Sequence, residues 1–198
     1  VTDLEPKGDL AREVAMMAEE MGRPYLYFDP SVDNCPFFNP LIGDETDVIE
    51  NAVTTFLSLN PDSPQYFKDL SEQLVRNVLK VLKRLDKDKG IDGYYSTFIW
   101  MSRVLQNNGG QGRELVQKFA NIRSATPDEA KENADIASWF LNEYFAERSK
   151  VYENSSGIRS QVSKVIANRY LRRVLNPSVE NGEYNQIDFD KHLADGGV

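Results

Sequence analysis

Apolar residues along most of this chain recur every three or four positions, the spacing of a helix that buries one face. Leu10, Val14, Met17 and Met21 open the pattern behind Asp9, a good N-cap, and Gly22 closes it. Residues 44–59 carry Val48, Ile49, Ala52, Val53, Phe56 and Leu57, with Asp44, Glu45 and Asp47 at the end where the helix dipole favours acids. A longer helix is predicted from Pro64, with Phe67, Leu70, Leu74, Val78, Val81, Leu82 and Leu85 on one face. Its cations Lys80, Lys83, Arg84 and Lys87 gather toward the C-terminal end. Two shorter helices, 94–106 and 111–122, flank Asn107-Asn108-Gly109-Gly110. Thr126-Pro127-Asp128-Glu129 is the clearest start in the chain: a capping Thr, Pro at the first helical position and Glu at the third. That helix is expected to run through Ile136, Trp139, Phe140 and Tyr144 to Tyr152. Asn154-Ser155-Ser156-Gly157 breaks it, and 158–175 reads as a last long helix before Asn176-Pro177.

The two ends read differently. Tyr25-Leu26-Tyr27-Phe28 is a short aromatic run, closed by Asp29-Pro30, that predicts a strand after the first helix. A strand end, a helix and a second strand make a βαβ unit, which belongs to a parallel sheet. At the other end Asp188 caps a short helix to Ala194, and Gly196-Gly197-Val198 turns toward a further strand. The expected class is mainly α: a multi-helix all-alpha domain flanked by short βα pieces of an incomplete α/β domain.

Composition narrows the chemistry. The 198 residues carry 23 Lys plus Arg against 31 Asp plus Glu, a formal charge of −8. Such a chain is a poor all-over nucleic-acid binder, so any such contact needs a local basic patch. A single cysteine, Cys35, excludes an internal disulfide framework and a multi-cysteine zinc site. One histidine, His192, speaks against a multi-His metal site or a His-based triad. No phosphate loop of the GxxxxGK[ST] type is present. Gly109-Gly110-Gln111-Gly112 follows a helix rather than a strand, which favours an interhelical loop over a nucleotide cradle. The acid pairs Asp128 with Glu129 and Glu143 with Glu147 read as solvated helix faces, and Trp100 and Trp139 as core.

One segment stands apart. From Ser155 to Pro177 there is no acid, while Arg159, Lys164, Arg169, Arg172 and Arg173 contribute five positive charges. On one continuous helix Arg169, Arg172 and Arg173 form a patch opposite Ile158, Val162, Val165 and Ile166. Two readings stand side by side: a contact for phosphates or an acidic partner, and a solvated face paired with the chain's own carboxylates.

Asp3 with Pro6-Lys7-Gly8-Asp9-Leu10, then Phe38-Asn39-Pro40-Leu41, Tyr66-Phe67 and residues 187–198 resemble, in that order, segments of the TraG/TraD-like coupling proteins of type IV secretion, the ATPases of conjugation. Asp3 with Pro6-Lys7-Gly8-Asp9-Leu10 is similar to the family's DPKG[DE]L turn, although Leu4 and Glu5 here separate the Asp from Pro6. Phe38-Asn39-Pro40-Leu41 is similar to its FNPL segment. Tyr66-Phe67 and the Leu74-to-Leu85 helix resemble the opening of its all-alpha domain, and 187–198 the return to the ATPase sheet. The resemblance implies a nucleotide-binding piece over 1–41, the all-alpha domain over 42–178 and a return segment over 179–198, the flanks being RecA-like. It implies a substrate-recognition module that binds relaxase, an accessory protein of the relaxosome or single-stranded DNA. The module would be a monomer and no enzyme by itself. ATP and Mg would belong to the parent, a homohexamer tethered to the cytoplasmic face of the cell membrane. The alternatives are a helical insertion in another RecA-like translocase of the FtsK or HerA kind, and a free-standing helical adaptor.

Overall fold

The computed structural model describes residues 9–90, 94–176 and 187–196, and the described residues are mainly helical. They contain ten α-helices: α1 Asp9–Glu20, α2 Glu45–Ser58, α3 Gln65–Lys87, α4 Phe98–Gln106, α5 Gln111–Phe119, α6 Pro127–Trp139, α7 Lys150–Asn154, α8 Ser156–Ala167, α9 Arg169–Leu175 and α10 Phe189–Ala194. The chain folds as two compact units. Pro40–Asn168 is one; the residues up to Asn39 and those from Arg169 onward make the other. Among the described residues no helix is long and apolar enough to cross a membrane.

In the Pro40–Asn168 unit α3 is the central helix. Leu74, Val78, Leu79, Val81, Leu82 and Leu85 are fully buried, so its second half is enclosed rather than half-exposed as the single predicted face implied. It packs against α2, α4, α5, α6 and α7. Enclosing that stretch also encloses its cations, and each finds a partner. Lys83 donates to the Leu41 and Gly43 carbonyls at 3.1 and 2.6 Å. Arg84 bonds Glu45 of α2 at 2.9 Å, Glu132 of α6 at 2.6 Å and the Asn133 side-chain oxygen at 2.6 Å. The buried carboxylate of Asp86 accepts the Tyr95 and Ser96 N–H groups, which holds the chain entering α4.

The expected caps at Thr126 and Asp188 form, and Asp44 and Thr97 cap two further helices, the latter starting α4 at Phe98 rather than at 94. Asp44 accepts from Thr46, Thr97 from Trp100, Thr126 from Glu129 and Asp188 from Lys191. Gly112 has a packing role: a Cβ there would lie 2.7 Å from the Val104 carbonyl, so α5 can cross the end of α4 only over a glycine.

Four expectations change. The strand over Tyr25–Phe28 is not formed; the segment is irregular, and among the described residues no strand lies beside it to complete a ladder. The apolar stripe on α1 is turned: Ala18 is buried while Leu10 and Met17 stay 48% and 57% exposed. The long helix expected to reach Tyr152 ends at Trp139, followed by a π turn over Phe140–Tyr144 and then the separate α7. That turn directs Tyr144 inward, where its hydroxyl donates to the Leu105 carbonyl at 2.7 Å amid Trp139, Phe140, Phe145 and Tyr152. The helix over 158–175 is two helices, parted at Asn168, whose φ of −76° and ψ of 112° are extended.

Removing single charges around α3 has measurable consequences. Arg84→Met takes away the donor that Glu45, Glu132 and the Asn133 side-chain oxygen share, leaving Lys87 on the first and Lys80 on the second, and is expected to cost about 2–3 kcal/mol in urea unfolding. A loss under about 1 kcal/mol would show the cluster to be dispensable. Burial pushes Glu132 up, but hydrogen bonds from Lys80 and Arg84 outweigh it and hold the carboxyl below its usual range. Its contribution is complete above the unfolded value of about 4.3 and is lost as pH falls through the lowered folded value. Stability should therefore drop less steeply below about pH 4 in Glu132→Gln than in the wild type, measured as urea midpoint against pH.

Candidate partner-binding surface

The basic segment is divided by the break at Asn168. Arg159 and Lys164 sit on α8 in the Pro40–Asn168 unit, and Arg169, Arg172 and Arg173 on α9 in the other. Arg169, Arg172 and Arg173 thus stay together on α9, while the break takes away the strip of Ile158, Val162, Val165 and Ile166 that one continuous helix would have set opposite them. An extended residue resets the helical phase, so positions on its two sides no longer share a face.

Their surroundings separate the five further. The Arg159 guanidinium lies 3.8 Å over the Tyr152 ring and donates to the Tyr152 carbonyl and, at 2.7 Å, to the Ser155 hydroxyl. It closes the joint between α7 and α8. Arg173 donates to Asp33 and to the Pro30 carbonyl, both at 2.9 Å, and to the Val32 carbonyl. With the Phe38 N–H on the Val174 carbonyl at 2.8 Å, it ties α9 to the 30–38 loop. Asp33 is fully solvated, so the two carbonyls rather than the ion pair give this contact its strength. Lys164, Arg169 and Arg172 are exposed. Arg169 lies over its neighbour Tyr170, 4.5 Å from the ring centroid, and bonds that residue's hydroxyl at 2.6 Å. Three cations thus remain at the surface, and two are structural.

The other candidates resolve one by one. Pro6, Lys7 and Gly8 of the turn motif lie outside the described residues, and Asp9 begins α1. Cys35 is buried, and that burial pushes its thiol above the usual range, away from a reactive thiolate. His192 is half-buried on α10. Among the described residues no group of three His, Cys, Asp or Glu side chains is placed to hold a metal ion. Glu129 accepts the Ala125 N–H at 2.9 Å as part of its cap, while Glu143 and Glu147 are exposed. Trp139 stacks on Tyr144 within the aromatic cluster; Trp100 is half-buried with Arg103 lying 4.2 Å over its ring.

Two concave surfaces carried no signal in the sequence. A wide groove of about 740 Å³ runs along α1, lined by Arg12, Met16, Glu19, Tyr25, Tyr27 and Asp29. A smaller cleft lies between the α2–α3 turn and the start of α8, within the Pro40–Asn168 unit. Each is assembled from separate stretches of chain, which no spacing rule links.

Arg173→Gln should lower stability by about 1–2 kcal/mol, because two carbonyls are deprived of a charged donor. Arg172→Gln should leave it within about 0.5 kcal/mol. Thermal unfolding of both variants reads the difference, and equal melting would return Arg173 to the exposed group. Comparison with protein-family models, with curated proteins and with solved structures finds no match to this chain.

Proposed function

We propose that this chain is the substrate-recognition region of a conjugative type IV secretion coupling protein, a binding module for relaxase, a relaxosome accessory protein or single-stranded DNA. The observation that carries the reading is the order of the chain through its two units. A compact helical body, Pro40–Asn168, interrupts a unit built from both flanking segments, as a recognition domain inserted into a motor domain would. The exposed apolar residues Leu10, Met16, Met17 and Met21 support it, since a helix of a nucleotide-binding domain covers such a face with its sheet. In this reading ATP and Mg are held by other parts of the hexameric, membrane-tethered parent. The exposed cations Lys164, Arg169 and Arg172 are the positions offered to an acidic or phosphate-bearing cargo.

The experiment compares wild type with the Lys164→Gln, Arg169→Gln, Arg172→Gln triple variant, using single-stranded DNA and a purified relaxase, by anisotropy at two salt concentrations. For DNA, the variant should flatten the salt dependence by about 0.7 in log–log slope for each phosphate it no longer neutralises. Failure of relaxase binding with DNA unaffected identifies protein as the cargo. No binding of either ligand by the wild type overturns the reading. The same preparation should release no phosphate from ATP above a heat-treated control; turnover would contradict a module without its own phosphate loop.

A further inference from the structure

The cations of α3 are almost all engaged. Arg76 holds Glu50 and Glu72, Lys80 holds Glu132, Lys83 holds two carbonyls, and Arg84 and Lys87 hold Glu45. Lys68 is the exception: among the described residues its side chain makes no ion pair or hydrogen bond, although the residue is half-buried. It stands in the wall of a cleft of about 150 Å³ whose apolar lining is Phe56, Leu57, Phe67 and Ile158. No acidic residue lines that cleft, in a chain whose formal charge is −8. Asn60, Ser63, Ser71 and Asn154 share the wall, and exposed apolar residues adjoin it in sequence, Leu59 and Tyr66 each 58% exposed, with Phe67 in the wall at 39%. Ser156 and Gly157, the first residues of α8, complete the wall, and their N–H groups meet no acceptor among the described residues. A Cβ on Gly157 would touch nothing within 4 Å, so that side is open.

We propose that this cleft docks a peptide segment of a partner protein in which a carboxylate sits beside one bulky apolar side chain. The inference stands on the Pro40–Asn168 unit alone and does not depend on the coupling-protein reading. The volume is well below the roughly 300–1,000 Å³ of pockets that enclose whole small molecules, so it takes a side chain rather than a cofactor. Lys68 selects the charge: its side chain has no carboxylate of its own among the described residues and stands in a wall without acids, so it is complementary to a carboxylate on the bound segment. The two N–H groups at the start of α8 add donors of the same polarity. A nucleic-acid strand needs a track of cations and stacked aromatic faces, and one lysine is no track. The exposed Leu59 and Tyr66 extend the apolar contact along a bound segment, leaving the carboxylate to set its register.

The test uses the full chain, ¹⁵N-labelled, and an N-acetylated Gly-Ser-Gly-Ser-Phe pentapeptide with a free C-terminal carboxylate, beside its C-terminal amide. The acid should shift the amide resonances of Phe67, Lys68, Ser156 and Gly157, and should bind about tenfold more tightly than the amide. Lys68→Met should remove that difference, and Phe67→Ser should weaken both peptides; unchanged resonances elsewhere certify that the variants fold. Equal affinity for acid and amide, or shifts centred on another surface, overturns the proposal. So does concentration-dependent self-association abolished by Phe67→Ser with no peptide response, which would give the cleft to a second copy of the chain.

Discussion

The Pro40–Asn168 unit is arranged around a helix whose second half is enclosed while carrying charge. Leu79, Leu82 and Leu85 of α3 have no exposed surface, and Lys83 and Arg84 lie between them at 7% and 8%. Bare cations in such a place would cost several kcal/mol each. The neighbouring elements are therefore placed where they can answer those charges. The segment leading into α2 presents its carbonyls to Lys83, α2 and α6 bring Glu45 and Glu132 to Arg84, and Asn133 fills the remaining donor. Apolar burial supplies the drive for this packing, and the charges restrict it to one register.

The opposite side of the unit is organised by aromatic rings. The π turn over Phe140–Tyr144 is an irregularity inside what would otherwise be one long helix, and it lets consecutive rings reach the core. Tyr144 bonds the Leu105 carbonyl near the end of α4, and Tyr152 carries the Arg159 guanidinium on its face. Burial raises the Tyr144 hydroxyl above its ordinary range, so it stays a neutral donor. Cations and rings together join α4, α7 and α8 where neither helix propensity nor length would.

In this acidic protein several of the cations serve the structure itself. Arg76, Lys80, Lys83, Arg84, Arg159 and Arg173 each hold carboxylates, carbonyls or rings of the chain itself. Lys164, Arg169 and Arg172 are available to large acidic partners, and Lys68 to a single carboxylate in an apolar setting. The electrostatic reach of each is about 8 Å in physiological salt, so these surfaces act locally rather than by long-range steering.

The sequence by itself determined the helices and most of their ends. The Thr126 and Asp188 caps and the apolar period of α2 and α3 are properties of a few neighbouring residues, and local rules read them. Only the tertiary structure decided where those rules were interrupted. Nothing local predicts the π turn after Trp139 or the break at Asn168; the first is set by rings that must meet across the core, and the second falls where one compact unit gives way to the other. The strand expected at Tyr25–Phe28 depends on a partner strand, which its own residues cannot supply. The fate of the basic residues was likewise out of reach, because a charge count does not distinguish Arg173 holding carbonyls of the 30–38 loop from Arg172 facing solvent one position earlier. The cleft around Lys68 was hidden for the same reason: its lining comes from α2, α3 and α8, and proximity in space between distant stretches is what folding adds to a sequence.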